Sequence, residues 1–550
     1  MYDILVKNGR VVDGTGSPWF KADVGIKDGR IVRIGQLEDA EARTVVDAQG
    51  LTVAPGFIDI HSHADFILPL KHHMDILAPL LEQGITTLVT GNCGLSPMPV
   101  NRDRQDLLNG YTAFFHGGPL DWSWQSTGDF LDYVSEVGSG FNMVPLVSHG
   151  AIRLAVMGFE PGEPSPEQLT QMQKLAREAM DEGAFGLSAG LIYAPGMYAS
   201  TEELIGVTEA LQPYGGVFTC HVRGSSETGL DATREIIEIG RANQIPVEHS
   251  HIEAFGAPNW DHIDPTIELH DRARADGVDI TFDVIPYTTA NTTLTACFPP
   301  YAFEGGIDRF VERLRDPQQR EKLRFDVENQ VSEWPTWRAG TWPHNLARNT
   351  GWKNIWLMWA GSEKNAQYTG KSFEEIGRLE GKSPFDAVAD MLIEENGAVL
   401  ALYIGVSGDL ENEEGLKKFL KHPNGAINTD AILTGRGMPH PAAYGSYPHV
   451  LGQYVREQRL MPLEEAIRKM TSLSSRRFGL QDRGLIREGM WADLTIFNSE
   501  TVRDNATYLH PDTSPTGIEY VLINGELAVC QGKMNKGTRA GQVLRRGESH

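Results

Sequence analysis

The chain of 550 residues has few cysteines, a deficit of positive charge and no long apolar run. Its four cysteines are too scattered for a disulfide framework, so we expect each to be a free thiol or a metal ligand. The net charge of −24 argues against nucleic-acid and anionic-membrane partners, because polyanions would be repelled. No stretch approaches the ~20 apolar residues of a membrane span, and the N-terminal residues lack a secretory signal pattern. We therefore expect a cytoplasmic protein.

The composition is typical of a folded enzyme, with 41% hydrophobic and 22% charged residues. The length predicts one large domain with a smaller companion. We expect a small-molecule substrate rather than a macromolecular partner, and the sequence leaves a homo-oligomer open.

Short β-like runs with Asn-Gly and Asp-Gly turns occupy both ends of the chain. Residues 4–10 and 24–30 indicate hairpins near one end, and residues 492–497 and 520–525 repeat the pattern near the other. Neither end could bury a core alone. We therefore predict that residues 1–54 and 481–550 together form a small β-sandwich domain.

Between these ends, eight apolar strand-like runs recur, each followed by a helical pattern. They cover residues 56–63, 86–93, 143–149, 184–190, 216–221, 246–251, 278–285 and 425–430. This order predicts an α/β fold, a (β/α)8 TIM-like barrel over residues 55–480, whose active site lies at the C-terminal strand ends. A doubly wound open sheet is the alternative, but it would not bring all those ends around one centre.

A stretch at about 295–359 interrupts the repeat and is rich in tryptophan. It contains Trp334, Trp337, Trp342, Trp352, Trp356 and Trp359. One interpretation is an insertion whose rings fasten it to the barrel, and the other is a lid that supplies an apolar wall to the substrate pocket.

Residues with metal-binding side chains stand at the ends of the predicted strands. His61 and His63 are two apart, so on a strand both imidazoles point to one face. The full set is His61, His63, Cys93, His221, His251 and Asp430. Each residue taken singly also has a packing interpretation. Burying six such groups without partners is costly, however, so the set predicts a metal site with the donor types that suit zinc.

Several motifs extend the pattern. They are PGFIDIHSHAD at 55–65, GNCG at 91–94, GLSAGLIY at 186–193, APGMYA at 194–199, PYTT at 286–289, HPAAYG at 440–445 and GMWADL at 489–494. With these motifs in this order, the chain resembles, almost end to end, the N-acyl-D-amino-acid deacylases (D-aminoacylases) of the amidohydrolase superfamily.

The resemblance implies one tightly bound zinc held by Cys93, His221 and His251. It implies a second, weaker or vacant metal position formed by His61, His63 and Asp430. Cys93 would take the bridging place that a carboxylated lysine has in many other amidohydrolases. Asp430 would pass a proton from the attacking water to the leaving nitrogen. Tyr193 and Tyr287 are candidates for contacts to the oxyanion or the substrate.

The chain departs from the family pattern at two substrate-binding positions. Glu253 and Ala442 stand where D-aminoacylases present a lysine and an arginine suited to a substrate carboxylate. Losing two cations and gaining an anion would repel a free carboxylate, so we predict a neutral or amine-bearing N-acyl substrate. Under the alternative, Arg223 or Arg436 neutralises Glu253 or binds the carboxylate instead.

Three functions follow from these observations. The first is a zinc-dependent amidohydrolase that cleaves a linear amide, a carbon-nitrogen bond other than a peptide bond. The second is a dihydropyrimidinase-like hydrolase of cyclic amides or imides, against which the missing bridging lysine counts. The third is a catalytically silent scaffold of the amidohydrolase fold, for which the six ligand-type residues would be unnecessary.

Overall fold

The structure is a computed structural model that describes residues 1–37, 40–335 and 341–548. The strands are β1 (Tyr2–Val11), β2 (Phe20–Lys27), β3 (Arg30–Gly35), β4 (Ala42–Asp47), β5 (Thr52–Pro55), β6 (Phe57–Asp59), β7 (Ile85–Thr90), β8 (Asn142–Pro145), β9 (Val147–Ser148), β10 (Gly186–Gly190), β11 (Val217–His221), β12 (Val247–His249), β13 (Ile280–Val284), β14 (Thr289–Thr293), β15 (Ile355–Ala360), β16 (Val399–Ile404), β17 (Gly425–Ile427), β18 (Leu494–Phe497), β19 (Ile518–Ile523), β20 (Glu526–Cys530) and β21 (Lys533–Met534).

The helices lie mainly between these strands. They are α1 (His73–Glu82), α2 (Gln105–Thr112), α3 (Thr127–Val137), α4 (His149–Met157), α5 (Pro166–Asp181), α6 (Thr201–Thr208), α7 (Gly229–Asn243), α8 (Ile263–Ala275), α9 (Ile307–Arg315), α10 (Pro317–Asn329), α11 (Leu346–Thr350), α12 (Glu363–Ala366), α13 (Phe373–Glu380), α14 (Pro384–Glu394), α15 (Glu414–Lys421), α16 (Ala442–His449), α17 (Leu463–Met470) and α18 (Ser472–Arg477), with a π-helix over Val450–Glu457. In the part of the chain that the structure describes, every helix is too short or too polar to traverse a lipid bilayer.

Eight parallel strands close into a barrel. β6, β7 and β8 pair in that order, and β9, β10, β11, β12, β13 and β17 continue the series. Only Leu146 separates β8 from β9, so the two act as one barrel strand. The circle closes where the Asp430 N–H donates to the His61 carbonyl at 3.1 Å. Each of the eight predicted apolar runs overlaps one of these strands.

The two ends of the chain meet in one nine-stranded sheet. β18 pairs antiparallel with β5, which joins the C-terminal strands β18 to β21 to the N-terminal strands β1 to β5. Val6, Val24, Val53 and Ile496, from both ends, share one buried core. The predicted fold class, a barrel with a small β domain built from both ends, is confirmed. The domain limits given above stay a prediction.

One turn in this sheet differs from the sequence prediction. Asp28 and Gly29 form the expected two-residue hairpin between β2 and β3, with φ of 50° and 76°. Asn8 and Gly9, read above as another such turn, instead lie inside β1 at a register shift against β2. Asn8 takes a φ of 64° within the strand, so the pair makes a β-bulge.

A long excursion separates β13 from β17. It contains the antiparallel sheet β14-β16-β15 and helices α9 to α14. Its strands β14 and β16 lie outside the 295–359 limits predicted for the insertion. Trp342 is buried in the core, in keeping with rings that fasten this segment, and Trp337 lies outside the described residues.

Candidate metal centre and active site

Six side chains with metal-binding groups meet where the chain leaves the barrel strands. They are His61 and His63 after β6, Cys93 after β7, His221 at the end of β11, His251 after β12 and Asp430 after β17. All six are buried, with exposed fractions of at most 8%. The structure therefore brings together every residue that the sequence analysis nominated as a ligand.

Cys93 lies at the centre of this group. Its Sγ is 3.1 Å from His61 Nε2, 3.8 Å from His221 Nδ1 and 3.5 Å from His251 Nε2. The donor atoms form two sets, each with all members within 4.8 Å of one another: His61, His63 and Cys93, and Cys93, His221 and His251. Because the sulfur belongs to both sets, it could bridge two metal positions.

Asp430 stands beside the first of these sets. Its Oδ1 is 3.5 Å from His61 Nε2 and 3.3 Å from His63 Nε2. Burial opposes its ionisation, but the hydrogen bond from His63 and the nearby imidazoles lower its pKa. Asp430 is thus a buried carboxylate within reach of a metal or a water in the centre.

The donor set fits a divalent metal. Burial raises the pKa of the Cys93 thiol to about 11, so the sulfur needs a nearby cation to become a thiolate. Burial lowers the pKa of both His221 and His251, which keeps these imidazoles neutral, as metal ligands must be. Thiolate, imidazole and carboxylate are the donors that zinc prefers.

Three of the six residues have a backbone conformation that side chains other than glycine rarely adopt. The φ angles are 53° at Cys93, 34° at His251 and 45° at Asp430. Such conformations cost about 1–3 kcal/mol each and cluster at functional sites, where the surroundings hold them. The backbone at these strand ends therefore serves the placement of the side chains rather than the stability of the fold.

Two buried aspartates, which sequence reasoning missed, hold this arrangement. Asp283 in β13 places Oδ1 3.5 Å from His61 Nδ1 and accepts the His251 backbone N–H at 2.7 Å. Asp59 in β6 accepts the backbone N–H groups of His61 at 3.3 Å and Thr429 at 3.1 Å. The sequence did carry a signal for these two residues, because each is an acidic residue inside an otherwise apolar strand. Such a group is buried only where it has hydrogen-bond partners.

Replacing Asp283 with alanine should weaken the binding of a divalent metal at this centre by about 10- to 100-fold, the effect typical of losing an outer partner of a metal-binding histidine. The cause is that His61 loses the carboxylate 3.5 Å from its Nδ1 and the His251 backbone N–H loses its hydrogen-bond acceptor. Competition with a chromogenic chelator measures the affinity. Asp279→Ala is the matched control, because Asp279 precedes the same strand and its side chain is 62% exposed. Equal affinities of the Asp283 variant and the unmodified protein would contradict this role.

A small cavity of about 30 Å³ lies beside the centre. Its apolar wall consists of Leu95, Phe115, Ile192, Phe255, Ala290, Leu346 and Ile432. Its other lining residues are Tyr193, Glu253, Asn291, Thr292, His344, Tyr403 and the ligand candidates His63, Cys93, His221, His251 and Asp430. Among the lining residues that the structure describes, there is no lysine or arginine. The lining suits a small, mostly apolar molecule.

Two of the predicted substrate residues line this cavity. The Tyr193 hydroxyl is 2.7 Å from Thr292 Oγ1. Glu253 accepts a hydrogen bond from Ser225 Oγ at 2.8 Å, and burial raises its pKa to about 8. Both side chains can therefore contact a molecule held next to the centre.

Arg223, predicted as a substrate contact, lies elsewhere. Its guanidinium is buried, forms an ion pair with Glu235 at 2.9 Å and donates to the Ala199 carbonyl at 2.8 Å. Its charge is thus compensated inside the protein, and this prediction is corrected. Arg436, the other cation considered, is exposed and donates to the His116 carbonyl at 2.9 Å.

Tyr287 and Ala442 also lie off the main cavity. The Tyr287 hydroxyl donates to Asp504 Oδ2 at 2.7 Å, and Ala442 is fully buried against the Tyr287 ring region. Neither side chain is therefore placed to contact a molecule in the main cavity directly. His344 and Leu346, which the sequence analysis did not nominate, reach the cavity from the excursion instead.

Comparison with known proteins gives full-length matches. The model of the amidohydrolase family matches residues 44–319 and 365–529. A D-aminoacylase of Alcaligenes xylosoxydans xylosoxydans is 33% identical over 549 residues, which are 99% of this chain and 98% of the relative. The structure of an N-acyl-D-glutamate deacylase from Bordetella bronchiseptica, with zinc and a phosphonate inhibitor, has a TM-score of 0.81 at 29% identity and covers 99% of both chains. A D-aminoacylase structure with a binuclear metal centre has a TM-score of 0.79 at 30% identity, over 99% of this chain and 100% of that one.

Enzymes of cyclic amides are more distant. A D-hydantoinase structure has a TM-score of 0.50 at 14% identity, over 99% of each chain. This level of likeness shows a shared fold and says nothing about the substrate.

Proposed function

The chain belongs to the amidohydrolase family, and from this premise we propose that it is a zinc-dependent deacylase of N-acylated small molecules that lack a free carboxylate. Its resemblance to the D-aminoacylases and its identity as a hydrolase of carbon-nitrogen bonds other than peptide bonds are confirmed. The choice of metal, the ligand roles and the substrate preference are our proposal.

The metal would be held by the residues of the candidate centre. Cys93, His221 and His251 would form the tight position, and His61, His63 and Asp430 the weaker one. Zinc, when bound, would acidify water and polarise the scissile carbonyl. The mixed sulfur and nitrogen donor set supports zinc, as does its presence in the Bordetella bronchiseptica relative.

Asp430 would carry the proton transfer. A carboxylate can accept a proton from the attacking water and return it to the amide nitrogen, which leaves poorly unless it is protonated. The lowered pKa of Asp430 keeps it ready to accept. The Tyr193 hydroxyl, across the same cavity, would donate a hydrogen bond to the carbonyl oxygen as negative charge develops there.

The charge of the cavity wall supports the substrate preference. Its acidic groups are Glu253 and Asp430, and the described lining offers no lysine or arginine to offset a substrate carboxylate. A substrate carboxylate about 4 Å from the ionised Asp430 would be repelled by a few kcal/mol in a partly desolvated site, and Glu253, whose pKa burial raises to about 8, would not offset this repulsion. This lining is the single observation that carries the proposed preference.

The proposal predicts that zinc-loaded protein hydrolyses N-acetyl-D-methioninamide about tenfold or more faster, in kcat/KM, than N-acetyl-D-methionine, because only the acid is repelled. Release of the free amine measures both rates. Chelator-treated protein serves as the metal control and should lose activity until zinc is restored. A higher kcat/KM for the acid would refute the carboxylate argument, and unchanged activity after chelation would refute the metal requirement.

A further inference from the structure

Two consecutive serines organise the polar part of the cavity wall. Ser225 and Ser226 follow β11 in the same loop. Ser225 Oγ donates to Glu253 Oε1 at 2.8 Å, and Ser226 Oγ is 3.0 Å from His344 Nδ1. Both serines are buried, so one short loop fixes Glu253 from the barrel and His344 from the excursion. Side chains held in this way are positioned before any substrate arrives.

Glu253 has no compensating cation within this wall. The hydrogen bond from Ser225 uses one carboxyl oxygen, and the described lining of the cavity contains no lysine or arginine. Burial lowers the pKa of His344 to about 4, so that ring is neutral and adds no positive charge. Arg223 is paired with Glu235 instead. A cavity carboxyl in this setting lacks the opposite charge that buried acids in proteins normally have.

On the neighbouring side of Glu253, the described lining residues also include no lysine or arginine. A smaller cleft shared by Glu253 and Tyr287 is lined by His251, Ile252, Ile285, Thr289, Val406, Ser407 and Leu416. The Tyr287 hydroxyl behind it donates to Asp504, which is a further acid. Both faces of the Glu253 side chain thus suit a donor-rich or cationic group and disfavour an anion.

We propose that Glu253, held by Ser225, binds a protonated amino group, so that the natural substrates are small N-acyl compounds carrying a second, basic amine. This inference rests on the proposed function and narrows its substrate class. The ammonium would donate to the carboxyl oxygen that Ser225 leaves free. His344 would line the same end of the site as a neutral hydrogen-bonding ring, packed edge-on against Phe255 with ring centroids 5.5 Å apart.

A series of amides matched in length tests the inference. Monoacetylated diaminobutane, N-pentylacetamide and acetamidopentanoate share an acetyl group and a four-methylene chain and end in ammonium, methyl and carboxylate. Zinc-loaded protein should hydrolyse the ammonium compound with a kcat/KM about tenfold or more above the methyl compound, the gain expected from a hydrogen bond to a charged group. The carboxylate compound should be the poorest substrate.

Variants then test whether Glu253 causes the preference for the ammonium compound. In Glu253→Gln the ratio of ammonium to methyl kcat/KM should fall to about one, since the amide keeps the shape and loses the charge. Ser225→Ala, which removes only the hydrogen bond that orients Glu253, should lower the ratio several-fold. Glu411→Gln is the control, because Glu411 is exposed outside the cavity, and it should leave both rates unchanged. The zinc content of each variant checks that His251, two residues before Glu253, still binds the metal.

The outcomes separate this inference from the proposed function. Equal kcat/KM for the ammonium and methyl compounds, with zinc-dependent hydrolysis intact, would overturn the amine assignment and leave the deacylase proposal standing. An ammonium preference that survives in Glu253→Gln would overturn the role of Glu253. If zinc-loaded protein hydrolyses none of the amides, including the methionine derivatives above, the proposed function itself fails.

Discussion

Replacing Asp430 with asparagine is expected to lower kcat for amide hydrolysis by about 10²- to 10⁴-fold, the contribution typical of a positioned proton-transfer group. The carboxylate is buried in the centre, 3.3 Å from His63 Nε2 and 3.5 Å from His61 Nε2. Asparagine has a similar shape and cannot accept the proton. Steady-state kinetics with a saturating N-acyl amide measures the loss.

The same variant should retain most of its tightly bound zinc, because Cys93, His221 and His251 are untouched. Metal content measured beside kcat therefore separates a lost proton carrier from a lost metal. Asp271→Asn is the control, because this aspartate lies on α8 with its side chain 59% exposed and should leave kcat unchanged. A kcat for Asp430→Asn within about threefold of the unmodified protein would rule out the shuttle role.

Replacing Cys93 with alanine is expected to remove the tight zinc position and with it the hydrolysis at limiting metal. Its sulfur is the one donor common to both ligand sets, so both positions lose a ligand at once. The affinity should fall by more than the ~10- to 100-fold typical of losing an outer partner. Zinc content after gel filtration, with activity before and after added zinc, measures the effect.

Cys530→Ala provides the matched control, since Cys530 is exposed and lies in β20, in the other domain. It should keep full zinc content and activity. A Cys93→Ala protein that purifies with the same zinc content as this control would show that sulfur is not a ligand. Thermal unfolding of both variants identifies any loss that comes from misfolding rather than from the metal.

Local sequence patterns predicted the barrel well. Each of the eight predicted apolar runs overlaps a barrel strand, because a strand covered on both faces must be apolar along its whole length. The hairpin turn at Asp28-Gly29 was also predicted correctly. The same residue pattern gave a wrong prediction at Asn8-Gly9, because a tight turn and a β-bulge both require residues in the left-handed conformation. The pairing partner of β1, which distinguishes the two, is distant in sequence.

For the site, the sequence indicated the ligand types and the strand ends that carry them. It did not indicate the residues that hold these ligands in place. Asp283 lies inside a run predicted as a plain strand, and its contact with His61 joins residues more than 200 positions apart. His344 reaches the cavity from an excursion that carries no ligand-type motif.

The sequence by itself therefore determined the fold class, the order of the strands and the ligand-type residues at the strand ends, because apolar runs, turn residues and ligand types are local properties of the chain. Only the tertiary structure decided which charges face the cavity. Arg223 and Glu253 are both ionisable and only 30 residues apart, yet one is neutralised by Glu235 and the other is turned to the cavity. That difference comes from packing between distant segments, which fixes the partners of each charge and so the substrate that the site can accept.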